Sequence, residues 1–355
     1  MKALVHTAPL KLEFIDWPAP ILAPLEVLVR VAAVAICGSD VHGYTGITGR
    51  RIPPIIMGHE ASGVVEAVGA EVSGWPRGTR VTFDSTVYCN ECSECRRGRI
   101  NLCENRQILG VSPPAFRRHG AMAEFVAVPH WILHRLPDGL SFEEAALVEP
   151  AAVAMHAARI TPIAPGATVV VVGAGAIGLL ALQTAKLLGA GTVVVIDVRE
   201  ERLAVARQLG ADVVINSGGG DPREELRSAT GRPTSDVVME AVGIGQTVQL
   251  ATDLSAPGGH LTLIGNVQPS IEQNLQAIIS KELTIRGSAA SAGEYPTCLA
   301  FLAAGRLQVK PIISRVMSLA DGQAAFDALR RGDAGLLKIV LRPEDGTASS
   351  EVANA

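Results

Sequence analysis

The sequence is short of charged residues. Asp, Glu, Lys and Arg make up 19% of the 355 residues, against about 25% in typical globular domains, whereas the apolar types make up 48%. This balance excludes intrinsic disorder, which requires low hydrophobicity together with a high net charge. It favours a parallel β-sheet covered on both faces. Because a single core rarely grows beyond about 250–300 residues, the length predicts two domains.

The sequence also lacks an excess of positive charge and lacks long hydrophobic runs. Its net charge is −4 at pH 7 and its isoelectric point is about 6.1, so no sequence-wide field attracts a polyanion such as nucleic acid. No stretch approaches the roughly 18 uninterrupted apolar residues of a membrane span, and the first residues contain no apolar leader core. We therefore expect a soluble, cytoplasmic protein with neither nucleic acid nor membrane as a partner.

Cysteine is scarce, with six residues in the chain, and four of them are crowded into one loop. Their spacing is Cys89-x2-Cys92-x2-Cys95-x7-Cys103, among Glu, Arg, Asn and Gly residues with no apolar core. A cytoplasmic chain of this length needs no disulfides, so crowded thiols indicate a metal. Four thiolates suit a closed tetrahedral zinc site that orders the loop. Four free cysteines and an iron–sulfur cluster remain the alternatives, since thiolate spacing alone does not select the metal.

A second group of metal-ligand types lies upstream of this loop. Cys37 opens the segment Cys-Gly-Ser-Asp-Val-His, and further along the chain His59 and Glu60 belong to a segment of the form GHE-x2-G-x5-G. A thiolate, an imidazole and a carboxylate together suit zinc with one coordination position left open, the pattern of a catalytic site. Each segment alone is a weak signal, because a lone cysteine is more often a core residue and an exposed His-Glu pair is more often solvated. Their occurrence together, beside the four-cysteine loop, predicts a catalytic metal site.

From residue 168 onwards, apolar strands, glycine turns and amphipathic helices alternate, which predicts βαβ units and a parallel sheet. The valine-rich strand predicted at 168–172 leads into a GxGxxG turn, and a helix is predicted at 177–188. Such a turn lets backbone amides and a helix N-terminus approach a pyrophosphate. Further candidate contacts lie in loops after later strands, at the sheet edge where ligands bind. The predicted dinucleotide-binding residues of the turn and these loops are Gly173, Gly175, Ala176, Ile177, Gly178, Val242, Ile264 and Gly265.

Asp197 ends the next predicted strand, at 192–197. Its carboxylate can accept hydrogen bonds from both adenosine ribose hydroxyls and would repel a 2′-phosphate. We therefore expect NAD rather than NADP. Arg199 keeps NADP open as an alternative, because a guanidinium can accommodate that phosphate.

The two ligand segments, the four-cysteine loop and the GxGxxG turn occur in an order and spacing that resemble the zinc-containing medium-chain alcohol and polyol dehydrogenases, in particular their sorbitol, threonine and butanediol dehydrogenase branch. The resemblance covers essentially the whole chain. It implies an α/β fold with a GroES-like, β-rich catalytic domain at 1–150 and 290–355, which includes a structural zinc lobe at about 88–104. A Rossmann domain with a doubly wound parallel sheet would occupy 151–289.

The resemblance also implies a catalytic zinc site. Cys37 and His59 would be zinc ligands, Glu60 a ligand or an alternating one, and Asp40 the carboxylate that orients His59. Glu149 stands in the segment Leu-Val-Glu-Pro, where the polyol branch carries a glutamate. It would bind zinc directly or hold the zinc-bound water.

Four further residues gain roles from the resemblance. Ser39 and His42 would relay the substrate proton to solvent. Arg202 would contact the adenosine ribose, and Lys338 the pyrophosphate. The four-cysteine loop would hold a second, structural zinc.

The resemblance implies a zinc-dependent oxidoreductase that transfers a hydride from a secondary alcohol or polyol to NAD and yields the ketone. L-Threonine or a sugar acid is the alternative substrate class. The sorbitol branch carries an arginine and a tyrosine where this chain has Ala290 and Ser291, a departure that argues against sorbitol itself. Tyr44 and Phe116 are candidates to line the substrate pocket.

Two other classes of protein stay open. A non-catalytic zinc- and nucleotide-binding protein would use the same fold, since fold does not fix function. A zinc-free quinone or enoyl reductase is opposed by the zinc-ligand residues. The family forms dimers and tetramers, commonly by joining nucleotide-domain sheets edge to edge, so we expect a homo-oligomer with buried interfaces.

Overall fold

The computed structural model describes residues 1–113 and 117–343. Its strands are β1 (Lys2–Ala8), β2 (Lys11–Asp16), β3 (Glu26–Ala35), β4 (Ile55–Ile56), β5 (Glu60–Val68), β6 (Arg80–Phe83), β7 (Thr86–Val87), β8 (Gln107–Leu109), β9 (Arg117–Arg118), β10 (Phe125–Pro129), β11 (Leu133–Arg135), β12 (Thr168–Val172), β13 (Thr192–Asp197), β14 (Val213–Asn216), β15 (Ser235–Glu240), β16 (Ser255–Leu263), β17 (Thr284–Gly287), β18 (Ile313–Ser318) and β19 (Lys338–Arg342). Its α-helices are α1 (Gly38–Tyr44), α2 (Ser93–Arg96), α3 (Phe142–Ala146), α4 (Val148–Ile160), α5 (Ala176–Leu187), α6 (Glu200–Gln208), α7 (Pro222–Thr230), α8 (Gly245–Leu254), α9 (Leu275–Ser280), α10 (Tyr295–Ala303) and α11 (Gly322–Arg331). No helix among the described residues is long and apolar enough to cross a lipid bilayer.

The part of the chain before α4 folds mainly as antiparallel sheet. A seven-stranded sheet has the order β11-β6-β5-β3-β19-β18, and β10 also pairs with β3. Side chains alternate along β3 between the core and more exposed positions, as in a half-buried strand. Two strands of this sheet, β18 and β19, come from the C-terminal part of the chain. β19 pairs with the end of β3 through Val340 and Ala35.

The intervening segment contains a six-stranded parallel sheet of order β14-β13-β12-β15-β16-β17. β12 and β13 are runs of valine and isoleucine whose side chains are almost all buried, as expected when helices cover both faces. The strand order reverses direction between β12 and β15, so the carboxyl ends of these strands flank the crevice in which such sheets bind ligands.

α4 links the two sheets. Its alanine-rich buried face shares one hydrophobic cluster with α5, α10 and the sheet residues Ala35 and Val340. Small side chains allow close helix packing, because the distance between helix axes depends on the side chains at the contact. The domain boundary predicted at residue 150 falls inside α4 (Val148–Ile160). Because the cluster around α4 contains residues of both sheets, the two sheets share one hydrophobic core there.

Candidate active site

Cys37, His59 and Glu60 come together because β3 and β5 are antiparallel neighbours. Ala35 at the end of β3 pairs with Glu60 at the start of β5, so residues just beyond one strand lie beside those that begin the other. One ligand atom from each of the three side chains lies within 4.8 Å of the other two. His59 and Glu60 are buried. A sulfur, a nitrogen and an oxygen in this arrangement fit zinc.

His59 is backed by a carboxylate and an arginine. Asp40 Oδ2 lies 3.6 Å from His59 Nδ1, and both atoms are buried with no hydrogen-bond partner among the described residues. A carboxylate at Nδ1 would orient the ring and leave the other ring nitrogen of His59 available to hold zinc, as in oriented histidine ligands. Arg51, which the sequence patterns did not single out, donates from Nε and Nη2 to Asp40 Oδ1 at 3.1 and 2.9 Å.

Glu60 pairs with a buried lysine from the other end of the chain. Lys338 Nζ donates to Glu60 Oε1 at 2.7 Å and to Oε2 at 2.8 Å. Burial opposes the charge of Lys338, but the carboxylate of Glu60 raises the pKa of Lys338 above its usual value. Lys338 therefore neutralises a carboxylate of the metal site. Its contact with a pyrophosphate stays a prediction.

Glu149 lies in the first turn of α4 and is buried. Its Oε1 atom accepts a hydrogen bond from Ser85 Oγ at 2.8 Å, and it lies outside the group formed by Cys37, His59 and Glu60. Burial raises the pKa of Glu149 to about 7; His59 opposes this rise and Glu60 adds to it. Glu149 thus faces the metal site from a second helix. Direct binding and an indirect role both stay predictions.

Ser39 and His42 lie on α1, and both residues are exposed. Ser39 Oγ accepts a hydrogen bond from Arg51 Nη2 at 3.3 Å. The same guanidinium therefore holds the predicted relay hydroxyl and the carboxylate behind His59. The proton-relay role of Ser39 and His42 stays a prediction.

The four thiols of the cysteine loop surround one point. Cys89 Sγ lies 4.0 Å from Cys95 Sγ and 3.5 Å from Cys103 Sγ, and Cys92 Sγ lies 3.9 Å from Cys103 Sγ. A tetrahedron of sulfurs each about 2.3 Å from a single zinc ion has edges of about 3.8 Å, so these thiols fit one zinc ion. A multi-iron cluster would spread its thiolates over different irons. The described cysteines form no disulfide.

The glycine turn leaves room where a pyrophosphate approaches. Gly173 has a φ of +100°, and a Cβ there would lie 2.5 Å from Val242 Cγ2. A Cβ at Gly178 would lie 1.8 Å from Gly173 O, whereas a Cβ at Gly175 would have no protein atom within 4 Å. The first and third glycines thus serve the packing of the turn, and the second opens a cradle at the start of α5 for a ligand. Ala176 and Ile177 form the first turn of α5 beside this cradle.

Asp197 is fixed at the end of β13 by backbone donors. Its Oδ2 atom accepts from Ala174 N at 2.7 Å and its Oδ1 atom from Arg199 N at 2.9 Å. Arg202 Nη1 lies 3.9 Å from Asp197 Oδ2. The Arg199 guanidinium is engaged elsewhere, since Nη1 donates to Gly332 O at 3.1 Å. The carboxylate therefore lies beside the glycine turn, where an adenosine ribose is expected.

The loops after β15 and β16 meet at the same edge of the parallel sheet. A Cβ at Gly265 would lie 2.2 Å from Gly243 N, so backbone packs on backbone there. Buried Glu240 accepts hydrogen bonds from the amides of Val242 at 2.9 Å and Gly243 at 2.8 Å. The structure thereby places Val242, Gly265 and its neighbour Ile264 along the crevice that begins at the glycine turn.

Three residues that shape these sites lack a local sequence signal. Arg51, Ser85 and Glu240 act through contacts that only the folded chain creates. Tyr44 does not line a pocket: it is fully buried, and its hydroxyl lies 2.7 Å from Leu10 O. Phe116 lies outside the described residues.

A mixed set of zinc-ligand side chains at the end of an antiparallel sheet, together with a glycine turn that fits a dinucleotide on a parallel sheet, is typical of one class: zinc-dependent dehydrogenases that use a nicotinamide dinucleotide. The chain belongs to the zinc-binding alcohol dehydrogenase family. Residues 23–138 match the family described as alcohol dehydrogenase GroES-like domain, and residues 176–304 match the family described as zinc-binding dehydrogenase.

Curated relatives align over most of the chain. Sorbitol dehydrogenase of Bacillus subtilis is 37% identical over 97% of this chain and 97% of its own length. L-Idonate 5-dehydrogenase of Vitis vinifera is 36% identical over 88% of this chain and 87% of its own length. The GroES-like and Rossmann-type fold and the family expected from the motifs are therefore confirmed.

Solved structures agree with this assignment. The alcohol dehydrogenase TADH of Thermus sp. superposes with a TM-score of 0.89 at 35% identity, over 96% of this chain and 99% of that chain. A zinc-binding dehydrogenase of Sinorhizobium meliloti bound to NADP gives 0.87 at 30% identity, over 96% and 99%. An alcohol dehydrogenase of Escherichia coli complexed with NADH gives 0.88 at 29% identity, over 96% and 99%.

Proposed function

We propose that this protein is a zinc-dependent dehydrogenase that oxidises a secondary alcohol group of a polyol or related hydroxy compound to a ketone, with NAD as the hydride acceptor. The observation that carries the proposal is the gathering of Cys37, His59 and Glu60 within 4.8 Å of one another in the same chain as an open cradle at Gly175. The relatives named for sorbitol and L-idonate support a polyhydroxylated substrate.

The residues of the proposed metal site have different roles. Cys37, His59 and Glu60 would hold zinc, which supplies the Lewis acidity that lowers the pKa of an alcohol. Asp40, with Oδ2 3.6 Å from His59 Nδ1, would orient the imidazole as a zinc ligand. Glu149, held by Ser85, provides a further carboxyl group near His59 and Glu60.

A proton must leave the substrate during oxidation. Ser39 and His42 suit this task because they share α1, whose N-cap is Cys37, and because both are exposed. The Ser39 hydroxyl would take the proton and His42 would deliver it to solvent.

We propose NAD rather than NADP as the cofactor. Asp197 offers a fixed carboxylate beside the glycine turn, which would accept ribose hydroxyls and repel a 2′-phosphate. The Arg199 guanidinium, which could have neutralised that phosphate, donates instead to Gly332 O.

The substrate is proposed as a polyol other than sorbitol, a vicinal diol, a sugar acid or threonine. Ala290 and Ser291 replace the arginine and tyrosine of the sorbitol branch. Ser291 is buried, with its hydroxyl 3.5 Å from Asp84 Oδ2. This part of the site therefore carries a small hydroxyl beside a carboxyl group where the sorbitol branch carries an arginine and a tyrosine.

The decisive assay presents polyols, diols, hydroxy acids and threonine to the zinc-loaded protein, each with NAD and with NADP at equal concentrations. We expect turnover of at least one polyhydroxylated substrate, with NAD preferred. A preference for NADP would contradict the role of Asp197. Binding of zinc and NAD without turnover of any substrate would indicate the non-catalytic alternative.

Metal analysis provides a separate check. We expect about two zinc ions per chain, one from each ligand group. A single zinc ion would support only one of the two sites, and a protein free of zinc after purification without chelator would refute both.

His42→Gln tests the proton relay. Turnover should fall most at acidic and neutral pH, where solution hydroxide is too scarce to replace the imidazole as a base, by about tenfold or more. The pH profile of kcat with saturating substrate measures this effect, and His130→Gln, outside the site, is the matched control. A pH profile identical to that of the wild type would remove His42 from the mechanism.

We further propose that the enzyme acts in the cytoplasm and forms a homo-oligomer through the β17 edge of its parallel sheet. β17 is an edge strand, and exposed apolar side chains lie on it, at Ile285, and on the preceding helix α9, at Leu275 and Ile279. A dimer or a tetramer built on this edge would cover them.

A further inference from the structure

Arg51 occupies an unusual position for a cation. Its side chain is only 4% exposed, and it lies in the loop after α1, outside the residues that form the metal-ligand group. Nε and Nη2 both donate to Asp40 Oδ1, at 3.1 and 2.9 Å. Nη2 also donates to Ser39 Oγ at 3.3 Å. One buried guanidinium thus binds two residues with separate predicted tasks.

A glycine makes room for this side chain. Gly43 lies within α1, and a Cβ at that position would lie 2.1 Å from Arg51 Cγ and 3.0 Å from Arg51 Cβ. Glycine is a poor helix former, and its backbone in α1 is not in the left-handed region. The packing of the Arg51 stem across the helix therefore explains a glycine that the conformation of α1 does not require.

The charges around the metal-ligand group are balanced in pairs. Lys338 neutralises Glu60, and Arg51 neutralises Asp40. The two hydrogen bonds from Arg51 Nε and Nη2 to Oδ1 also hold the Asp40 carboxylate in one orientation. With Arg51 on Oδ1, the Oδ2 atom stays an acceptor facing His59 Nδ1 at 3.6 Å.

We propose that Arg51 is a positioning residue that locks Asp40 behind His59 and fixes Ser39 in the same rigid unit, so that it sets how tightly the catalytic site retains zinc. This inference rests on the proposed function only in taking Cys37, His59 and Glu60 as zinc ligands. It acts through Asp40, because the guanidinium hydrogen bonds found among the described residues go to Asp40 and Ser39.

Zinc release tests the proposal without a catalytic assay. The zinc-loaded protein is mixed with a chromophoric chelator and the release of each zinc equivalent is timed. For Arg51→Met we expect release from the catalytic site to be about tenfold faster, since loss of an outer partner of a metal ligand weakens binding by about 10–100-fold. Release from the four-cysteine site should be unchanged. Arg50→Met, which alters the exposed neighbouring arginine, is the matched control.

Two further variants separate positioning from general stability. Arg51→Lys keeps the positive charge but loses the planar guanidinium that donates two hydrogen bonds to Asp40. It should therefore release zinc at a rate between those of the wild type and Arg51→Met. Gly43→Ala keeps every charge and displaces the arginine stem, and it should accelerate release in the same direction. This variant reports on the proposal even if Arg51→Met fails to fold.

A double-mutant cycle completes the test. If Arg51 acts through Asp40, Arg51→Met should add little to the acceleration already caused by Asp40→Asn. Fully multiplicative effects, or zinc release at the wild-type rate in both Arg51→Met and Gly43→Ala, would overturn the proposal. Failure of the proposed function would look different: no alcohol would be oxidised by the wild type, while the differences in zinc release between the variants would persist.

Discussion

At the scale of single residues, buried charges and buried neutral rings set the pH range in which the protein is stable. Lys338 and Glu60 form an ion pair whose side chains are at most 4% exposed. Removing one partner of such a pair leaves an uncompensated charge and typically costs about 3–5 kcal/mol. A histidine shielded from water and without a carboxylate partner behaves in the opposite way, because shielding favours its neutral form and protonation then costs stability.

His134 is a half-buried histidine of this kind. It stacks on the fully buried Tyr295 ring with centroids 4.9 Å apart, and burial lowers the pKa of His134 to about 4 from an ordinary value of 6.5. Because the folded-state pKa is depressed, the stability from neutral His134 is complete above pH 6.5 and is lost as the pH falls toward 4. We expect about 2 kcal/mol to be lost between pH 6.5 and pH 5.

His134→Phe tests this pH dependence, since phenylalanine can stack but cannot take a proton. Its free energy of unfolding, from urea titrations at pH 7 and pH 5, should fall less with acidity than that of the wild type. Both proteins keep the same zinc ligands, so acid release of zinc affects them alike. His130→Gln should follow the wild type; equal acid sensitivity of His134→Phe and the wild type would contradict the assignment.

At the scale of elements, the turn between β12 and α5 separates packing from ligand binding. Gly178→Ala places a Cβ 1.8 Å from the backbone oxygen of Gly173, an overpacking that should lower the Tm by roughly 5 °C. Gly175→Ala has no protein atom within 4 Å of the new Cβ, so its Tm should match the wild type. Its affinity for NAD should fall by about tenfold or more, because the methyl group fills the pyrophosphate cradle.

The two glycine variants control for each other. Thermal unfolding of the apoprotein measures the first effect, and fluorescence titration with NAD measures the second. A Gly175→Ala protein that binds NAD as tightly as the wild type would show that the pyrophosphate lies elsewhere.

The local sequence patterns predicted the strands and the helix of the nucleotide-binding region well. They did not predict the ion pairs of the metal site. The strands predicted at 168–172 and 192–197 coincide with β12 and β13, and the helix predicted at 177–188 is α5 within one residue at each end. Such patterns suffice because valine runs and glycine turns act over a few neighbouring residues. Lys338 lies 278 residues from Glu60, so their pairing depends on β19 joining β3, which no local pattern encodes.

At the scale of the whole molecule, the β17 edge of the parallel sheet has no further strand paired with it among the described residues. β17 ends the strand order, and Ile279 on α9 is 66% exposed. Unpaired edge strands flanked by apolar side chains are suited to pairing with a second copy.

Ile279→Glu tests this interface. A buried charge on each protomer should weaken association by at least about tenfold, visible as a shift toward monomer in sedimentation velocity at micromolar concentration. Ile21→Glu is the control, because Ile21 is 94% exposed and lies in the loop between β2 and β3, away from the parallel sheet in the chain. An unchanged mass for Ile279→Glu together with a smaller mass for Ile21→Glu would place the interface on the metal-site domain.

The position of β19 has a consequence for how the protein is made. The ribosome releases the six strands of the parallel sheet, residues 168–287, as one uninterrupted stretch, whereas β3 receives its neighbour β19 only when residues 338–342 emerge. During synthesis the nucleotide-binding half can therefore complete its sheet first, at a stage when Glu60 has not yet formed its ion pair with Lys338. A nascent chain stalled before this last strand would expose the end of β3 and carry an unbalanced carboxylate at the metal site, a form suited to capture by chaperones.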